Sequence, residues 1–214
     1  MASIKVAAVL VFFWLFFTES RSSSFRDFGE TFAVAIDVSK VFDRVCHKAL
    51  ILKLHALLRF LSFSLQLYHF ISSFLSDRSV AAVLDGHGFS PKSISSGVPL
   101  GSVLSPTLFL LFINDLINQT SCPIHSHADD TILHLSTSIQ RRPNLQEVNR
   151  SRRDATERLT SDLSKISDWA RENLVVFDAS KIQFLHLSTR HNLPDNYPLF
   201  FNGTQLNILS LSYS

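Results

Sequence analysis

Three carboxylates stand out as residues that could do chemistry together: Asp37, Asp129 and Asp130. Asp129 and Asp130 are adjacent, within Ser126-His127-Ala128-Asp129-Asp130-Thr131. Runs suited to strands flank them, Cys122 to His127 before and Thr131 to Ser136 after. The second run alternates polar and apolar residues, the pattern of a half-buried strand. Adjacent aspartates are poor strand formers and good turn formers, so the pair is expected at the tip of a β-hairpin. Like charges this close repel unless a cation or a hydrogen-bond network lies between them. An isolated Asp-Asp is ordinarily a solvated turn. What changes the reading is Asp37, which closes the apolar run Phe32 to Ile36. A carboxylate at the end of a buried strand and a pair on a hairpin tip can converge on one metal site. Hard Mg²⁺ takes oxygen ligands, usually one or two carboxylates plus substrate phosphates. Two such ions about 3.5–4 Å apart can stabilise both the attacking and the leaving oxygen of a phosphoryl transfer. The spacing allows this chemistry without proving it.

The elements that must position these residues follow from periodicity. Asp43 to Leu58 reads as a helix with Leu50, Leu54, Leu57 and Leu58 on one side. His47 and His55 lie on it, as exposed or core-edge residues rather than metal ligands. Phe60 to Phe74 is expected to form a second helix. Ser79 to Leu84 reads as a strand, Asp85-Gly86-His87-Gly88 as a turn, and Ser93 to Ser95 as a pairing partner. Gly97-Val98-Pro99-Leu100-Gly101-Ser102 is a loop whose glycines permit close backbone approach. Ser105-Pro106 has the form of a helix cap and first turn, ahead of an apolar helix from Thr107 to Leu116. Arg141, Arg142, Arg150, Arg152, Arg153 and Arg158 make a basic stretch, either a phosphate contact or a solvated face. Leu159, Leu163, Ile166 and Trp169 mark a helix face that should cover the sheet. Lys181 ends a turn before a strand from Ile182 to Ser188. Phe200 to Leu206 reads as a hairpin about Asn202-Gly203.

Hydrophobic residues make up 46% of the chain and charged residues 18%, which argues against disorder. The net charge of +2 lacks the strong basicity of a free-standing nucleic-acid-binding domain. Cys46 and Cys122 do not make a disulfide framework, and no Cys/His spacing matches a zinc site. Residues Met1 to Ser24 differ from the rest. Lys5 precedes an apolar run, Val6 to Phe17, and small polar residues follow. That is the pattern of a secretory signal peptide, with a cleavage point after Ser20, or of a hydrophobic tail of chance origin. The run is short for a membrane span, and none is expected in the mature chain. A domain boundary is placed near Ser24, giving residues 1–24 and 25–214.

The segments FAVAIDVSKVFDRVCHKALILKL, SFLSDRSVAAVLDG, SSGVPLGSVLSPTLFLLFINDL, HADDT and WARENLVVFDASK occur in that order. Together they resemble the palm of a reverse transcriptase of the type encoded by non-LTR retrotransposons, the LINE and jockey-like elements. The resemblance runs from about Phe32 to about Leu206. It implies an α+β fold, a polymerase-palm-like antiparallel sheet with helices on one face, with fingers and thumb largely missing. It implies an RNA-directed DNA polymerase using Mg²⁺, or Mn²⁺, with an RNA template, a DNA primer and deoxynucleotides as partners. Asp37 and Asp129 would hold the metals and Asp130 would support them. Phe42 would exclude a ribose 2′-hydroxyl. Gly97, Pro99, Leu100 and Gly101 would lie against nucleotide or template, with Lys181 near the leaving pyrophosphate. His127 and Ala128 would lie near the primer end. The chain departs from the family pattern at Leu100, where Gln is usual, and at His127, where Phe or Tyr is usual. Those departures keep a second expectation open, a non-catalytic retrotransposon remnant. The Met1 to Ser24 segment adds a third, a secreted protein. The family's function implies nucleus or cytoplasm; the N-terminal pattern implies the secretory route.

Overall fold

The structure is a computed structural model that describes residues 29–37, 41–61, 64–99, 101–127, 130–137, 144–177, 181–188 and 197–212. The Met1 to Ser24 segment, Leu100, Ala128, Asp129, Arg141 and Arg142 lie outside the described residues. Two compact units emerge, one of residues 1–39, 117–169 and 177–214, the other of residues 40–116 and 170–176.

The first unit is built on a five-stranded sheet. Its strands are β1 (Glu30–Asp37), β6 (Ile124–His127), β7 (Asp130–Thr137), β8 (Gln183–Ser188) and β11 (Ile208–Ser212), in the order β11-β8-β1-β7-β6. β1 is antiparallel to β7 and β8, and β6 is antiparallel to β7. β11 joins β8 in parallel, so the expectation of a wholly antiparallel sheet is corrected at this edge. β11 follows the hairpin of β9 (Phe200–Phe201) and β10 (Thr204–Gln205), whose turn is Asn202-Gly203. Both turn residues have positive φ, 48° and 77°, the left-handed pair that a two-residue hairpin turn requires.

Glu30, Phe32, Val34 and Ile36 alternate onto one face of β1 and are all buried. The helix Leu145–Glu172 lies on this face, since its Arg152 binds Glu30. Leu159, Leu163, Ile166 and Trp169 are buried along that helix, as their spacing predicts. Ala33, Ile132, Leu185 and Leu187 form a second buried cluster on the opposite face. β7 is therefore packed on both sides. Thr131 through Leu135 are buried at every position, where the sequence alternation predicts a strand wet on one face. The polar residues are accommodated by partners: Ser126 Oγ lies 3.2 Å from Thr131 Oγ1, and His125 Nε2 lies 3.0 Å from His134 Nε2.

The second unit carries α1 (Val41–Arg44), α2 (His47–Leu61), α3 (Leu65–Leu75) and α4 (Leu104–Ile113). The helix Leu145–Glu172 is numbered α5. The single helix expected from Asp43 to Leu58 is interrupted at Val45-Cys46. The cause is the loop at Gly97. Phe42 O accepts from Val98 N at 2.6 Å and Val45 O from Gly97 N at 2.8 Å, while Cys46 bridges Ser96. Carbonyls that a continuous helix would use are taken by another segment. Leu50, Leu54 and Leu58 are buried, as predicted. The second expected helix starts at Leu65 rather than Phe60, because Ser64 caps it through Gln66 N at 3.1 Å. Ser105 does not cap α4. Its Oγ donates to Pro99 O, and Ser102 Oγ accepts from Leu104 N at 3.2 Å. α4 ends at Ile113 and continues as a 3-10 helix, Asn114–Gln119, whose later residues belong to the first unit. Lys53 Nζ meets Phe112 O and Asp115 Oδ1 at 2.8 Å each. A cation at a helix C-terminus satisfies an orphan carbonyl and opposes the helix dipole.

The expected strand Ser79 to Leu84 is split. β2 (Ser79–Val80) pairs with β5 (Lys92–Ser93), and β3 (Val83–Leu84) pairs with β4 (His87–Gly88) about Asp85-Gly86. These residues are all exposed, so no core face holds them in one continuous ladder. No described helix is long and apolar enough to cross a membrane.

Candidate active site

Asp37 ends β1, and its direct partner across the ladder is Asp130, the first residue of β7. On its other side Asp130 pairs with His127, the last residue of β6. Residues paired directly across antiparallel strands have Cα atoms about 4.5–5.5 Å apart and share one face of the sheet. The fold thus brings together Asp37, Asp130 and His127 at one end of the sheet, from positions 93 and 90 apart by number for Asp37. Asp130 is a strand residue and not part of the hairpin tip that its neighbours suggested. Asp129 directly precedes it in the chain. The register tests the fit of a divalent cation: two carboxylate-bearing positions face each other, and carboxylate oxygens are the donors a hard cation takes. The residues fit that group. Among the described residues, no cluster of three or more His, Cys, Asp or Glu side chains is placed to hold a metal.

Two buried charge networks fix the elements that carry these positions. At the start of β6, Asp162 of α5 accepts from Ser121 N at 2.9 Å and Cys122 N at 2.8 Å. Ser121 Oγ and Lys165 Nζ also reach it, at 3.0 and 2.8 Å. Burial alone would raise the Asp162 carboxyl, but Lys165 and the two backbone donors outweigh it and hold it at about 2. Burial, reinforced by Asp162, pushes the Cys122 thiol up to about 11. This thiol is therefore protonated and inert at neutral pH.

At the far end of β1, Glu30 takes Arg152 Nη2 at 2.6 Å, Arg152 Nε at 2.9 Å and Ser188 Oγ at 3.0 Å. His186 Nε2 lies 3.8 Å from Glu30 Oε2, and its Nδ1 is hydrogen-bonded to the Tyr197 hydroxyl. Burial raises the Glu30 carboxyl; His186 and Arg152 more than reverse this and hold it at about 2. Glu30 and Asp37 are the first and last of the eight residues of β1, about 23 Å apart along the strand. The network braces the sheet and does not touch the Asp37 end. Sequence reading missed Glu30 and Asp162. The signal was present: both occupy positions in phase with buried neighbours, Phe32 for the first and Leu159 and Ile166 for the second. Arg152, read as one of a basic stretch, is likewise buried, while Arg150, Arg153 and Arg158 are exposed.

In the second unit, Gly97 is fixed by geometry. Its φ is +88°, and a Cβ there would fall 3.0 Å from Asp43 O and 3.1 Å from Phe42 O. His47 Nε2 lies 2.6 Å from Gly97 O. Pro99 O is held by Ser105, and Gly101 has φ +84°. Phe42 is half-buried, its ring edge-on to Phe109 at 5.5 Å. The loop and the Phe42 helix are thus one locked feature. Lys181 sits in the turn that precedes β8, half-buried, within the first unit.

The profile of the family described as reverse transcriptase (RNA-dependent DNA polymerase) matches residues 14–209. The chain is 34% identical over 155 residues to the RNA-directed DNA polymerase from mobile element jockey of Drosophila funebris, covering 68% of this chain and 15% of that protein. It is 38% identical over 113 residues to the jockey polymerase of Drosophila melanogaster, covering 49% of this chain and 12% of that protein. It thus spans a small part of the length of these relatives. Among solved structures it resembles an apo telomerase from Candida tropicalis truncated from its C-terminal domain, with a TM-score of 0.54 and 13% identity over 95% of this chain and 38% of that one. That likeness speaks to the fold alone.

Proposed function

The chain belongs to the reverse transcriptase (RNA-dependent DNA polymerase) family, and from that membership we propose that it forms the palm of an RNA-directed DNA polymerase from a non-LTR retrotransposon. The observation that carries the proposal is the register of β1 on β7, which makes Asp37 and Asp130 direct partners. The reaction would be attack of a primer 3′-hydroxyl on the α-phosphate of an incoming deoxynucleotide. Asp37 and Asp129 would bind the divalent cations, with Asp130 supporting them. When bound, Mg²⁺ or Mn²⁺ would supply positive charge to the phosphoryl group and lower the pKa of the attacking hydroxyl.

The remaining work belongs to the chain's own residues. The ladder fixes the backbone of Asp37 and Asp130 on a strand pair held by buried packing, which would limit the reorganisation their carboxylates need to act. Phe42 would exclude a ribose 2′-hydroxyl by its bulk. Gly97, Pro99, Leu100 and Gly101 would line the path of template and nucleotide. Lys181 would place a cation against the departing pyrophosphate. His127 and Ala128 would border the primer end. The template, primer and deoxynucleotides are the partners, which would place the working protein in nucleus or cytoplasm.

The test is primer extension on an RNA template with Mg²⁺ and then Mn²⁺, comparing the chain with Asp129→Ala and Asp37→Ala. Extension abolished by either substitution supports the reading. A second reading, a folded remnant without catalysis, is favoured by Leu100 and His127 standing where the family has Gln and an aromatic residue. Binding of primer–template with no extension under either metal selects it.

A further inference from the structure

The hairpin of β6 and β7 carries two histidines whose role the polymerase reading leaves unused. His125 pairs across the ladder with Ile132, so His134 is its diagonal neighbour on the same face. Diagonal neighbours are within reach of long side chains. The two Nε2 atoms lie 3.0 Å apart, with ring centroids at 5.0 Å and planes 17° apart. Two metal–nitrogen bonds of about 2.0–2.1 Å span about 2.9 Å when they meet at a right angle, and about 3.3–3.4 Å at the tetrahedral angle. The observed separation falls between these values. His134 is 2% exposed, and its backbone is tied to Pro123 O at 3.0 Å, so one nitrogen is pre-positioned. His125 is exposed and gives solvent a way in.

We propose that His125 and His134 form a two-nitrogen site for a borderline divalent cation, Zn²⁺ or Cu²⁺, with solvent completing its coordination. Imidazole suits these ions and not Mg²⁺, so the site is chemically distinct from the carboxylate end of the same sheet. It does not depend on the polymerase reading. A bound ion would tie β6 to β7 and replace the proton that the two rings otherwise share. Because the ion binds the folded hairpin and not the unfolded chain, occupancy raises thermal stability.

The experiment titrates the full chain with Zn²⁺, Cu²⁺ and, as control, Mg²⁺, reading metal uptake and melting temperature. The expected result is one equivalent taken up and a rise of about 5 °C with Zn²⁺ or Cu²⁺ at saturation, with no rise for Mg²⁺. The chain has nine histidines, so His125→Ala decides the location. This position is exposed, and the variant should fold while losing both the equivalent and the rise. For Cu²⁺, spectroscopic coupling to two imidazole nitrogens in the parent chain, reduced to one or none in His125→Ala, gives a second readout. No uptake of either ion leaves the contact a plain imidazole hydrogen bond and overturns the proposal. Uptake and a rise unchanged in His125→Ala also overturn it.

Discussion

Arg152 grips Glu30 through two nitrogens, at 2.6 and 2.9 Å, with both side chains withdrawn from water. A buried pair of this kind is costly to break, because the survivor is left charged and unpaired. Arg152→Met is expected to destabilise the first unit by about 3–5 kcal/mol. The double variant Arg152→Met with Glu30→Gln should lose less than the sum of the two single changes, since they share one interaction. Urea unfolding of the four proteins measures this. Additive losses would show that the pair is not coupled.

The same pair sets an acid limit. Glu30 is held at about 2 against an ordinary value of 4.5. A depressed carboxyl contributes stability that is fully present above the unfolded value and is lost as pH falls through the folded one. Asp162 behaves likewise, at about 2 against 3.8. Stability should therefore decline from about pH 5 toward pH 2. Glu30→Gln should make that decline shallower. An equally steep fall in the variant would assign the acid sensitivity to other groups.

Asp162 also governs Cys122. Burial first, and then the Asp162 carboxylate, pushes the thiol up to about 11. A thiol reagent at pH 7.5 should modify the half-buried Cys46 first and leave Cys122 untouched in the native protein. Asp162→Ala removes the acceptor for two backbone N–H groups, and is expected to cost about 2–4 kcal/mol. Cys122 should then react faster. Unchanged Cys122 reactivity with unchanged stability would mean that the start of β6 is held by other contacts.

Two glycines with the same sign of φ separate strain from space. Gly97→Ala meets the Phe42 and Asp43 carbonyls, whereas a Cβ at Gly86, φ +79°, meets nothing within 4 Å. Gly86→Ala should cost about 1 kcal/mol for its left-handed backbone alone. Gly97→Ala should cost about 2–4 kcal/mol and loosen the contact between the loop and the Phe42 helix. Thermal melts of the two variants provide the comparison. Equal losses would remove the close-approach argument.

Phe42 and Leu100 bear on the proposed chemistry. Given extension activity, Phe42→Ala should raise ribonucleotide use relative to deoxynucleotide use, because the ring acts by bulk. The incorporation ratio is the readout, since loss of the Phe109 contact would lower overall activity without moving it. Leu100→Gln should increase extension several-fold, as one neutral hydrogen bond contributes about 1 kcal/mol. An unchanged ratio would leave Phe42 as a packing residue only.

Much of the sheet was legible in the chain. The run Phe32 to Ile36, the strand after Asp130, the strand before Ser188 and the Asn202-Gly203 turn are local signals, read from alternation and from turn residues that tolerate positive φ. The apolar face of α5 was legible for the same reason. What periodicity could not supply was partnership. Nothing near Glu30 in sequence announces Arg152, which is 122 residues away. Nothing near Asp162 announces two backbone amides 40 and 41 residues upstream. The helix predicted through Val45 fails because a loop some 50 residues later takes its carbonyls. The sequence by itself determined which residue types could act, three carboxylates and a glycine-bearing loop. Tertiary structure decided that Asp37 faces Asp130. Strand register is a property of two segments at once, fixed by which faces find burial and which backbone groups find each other.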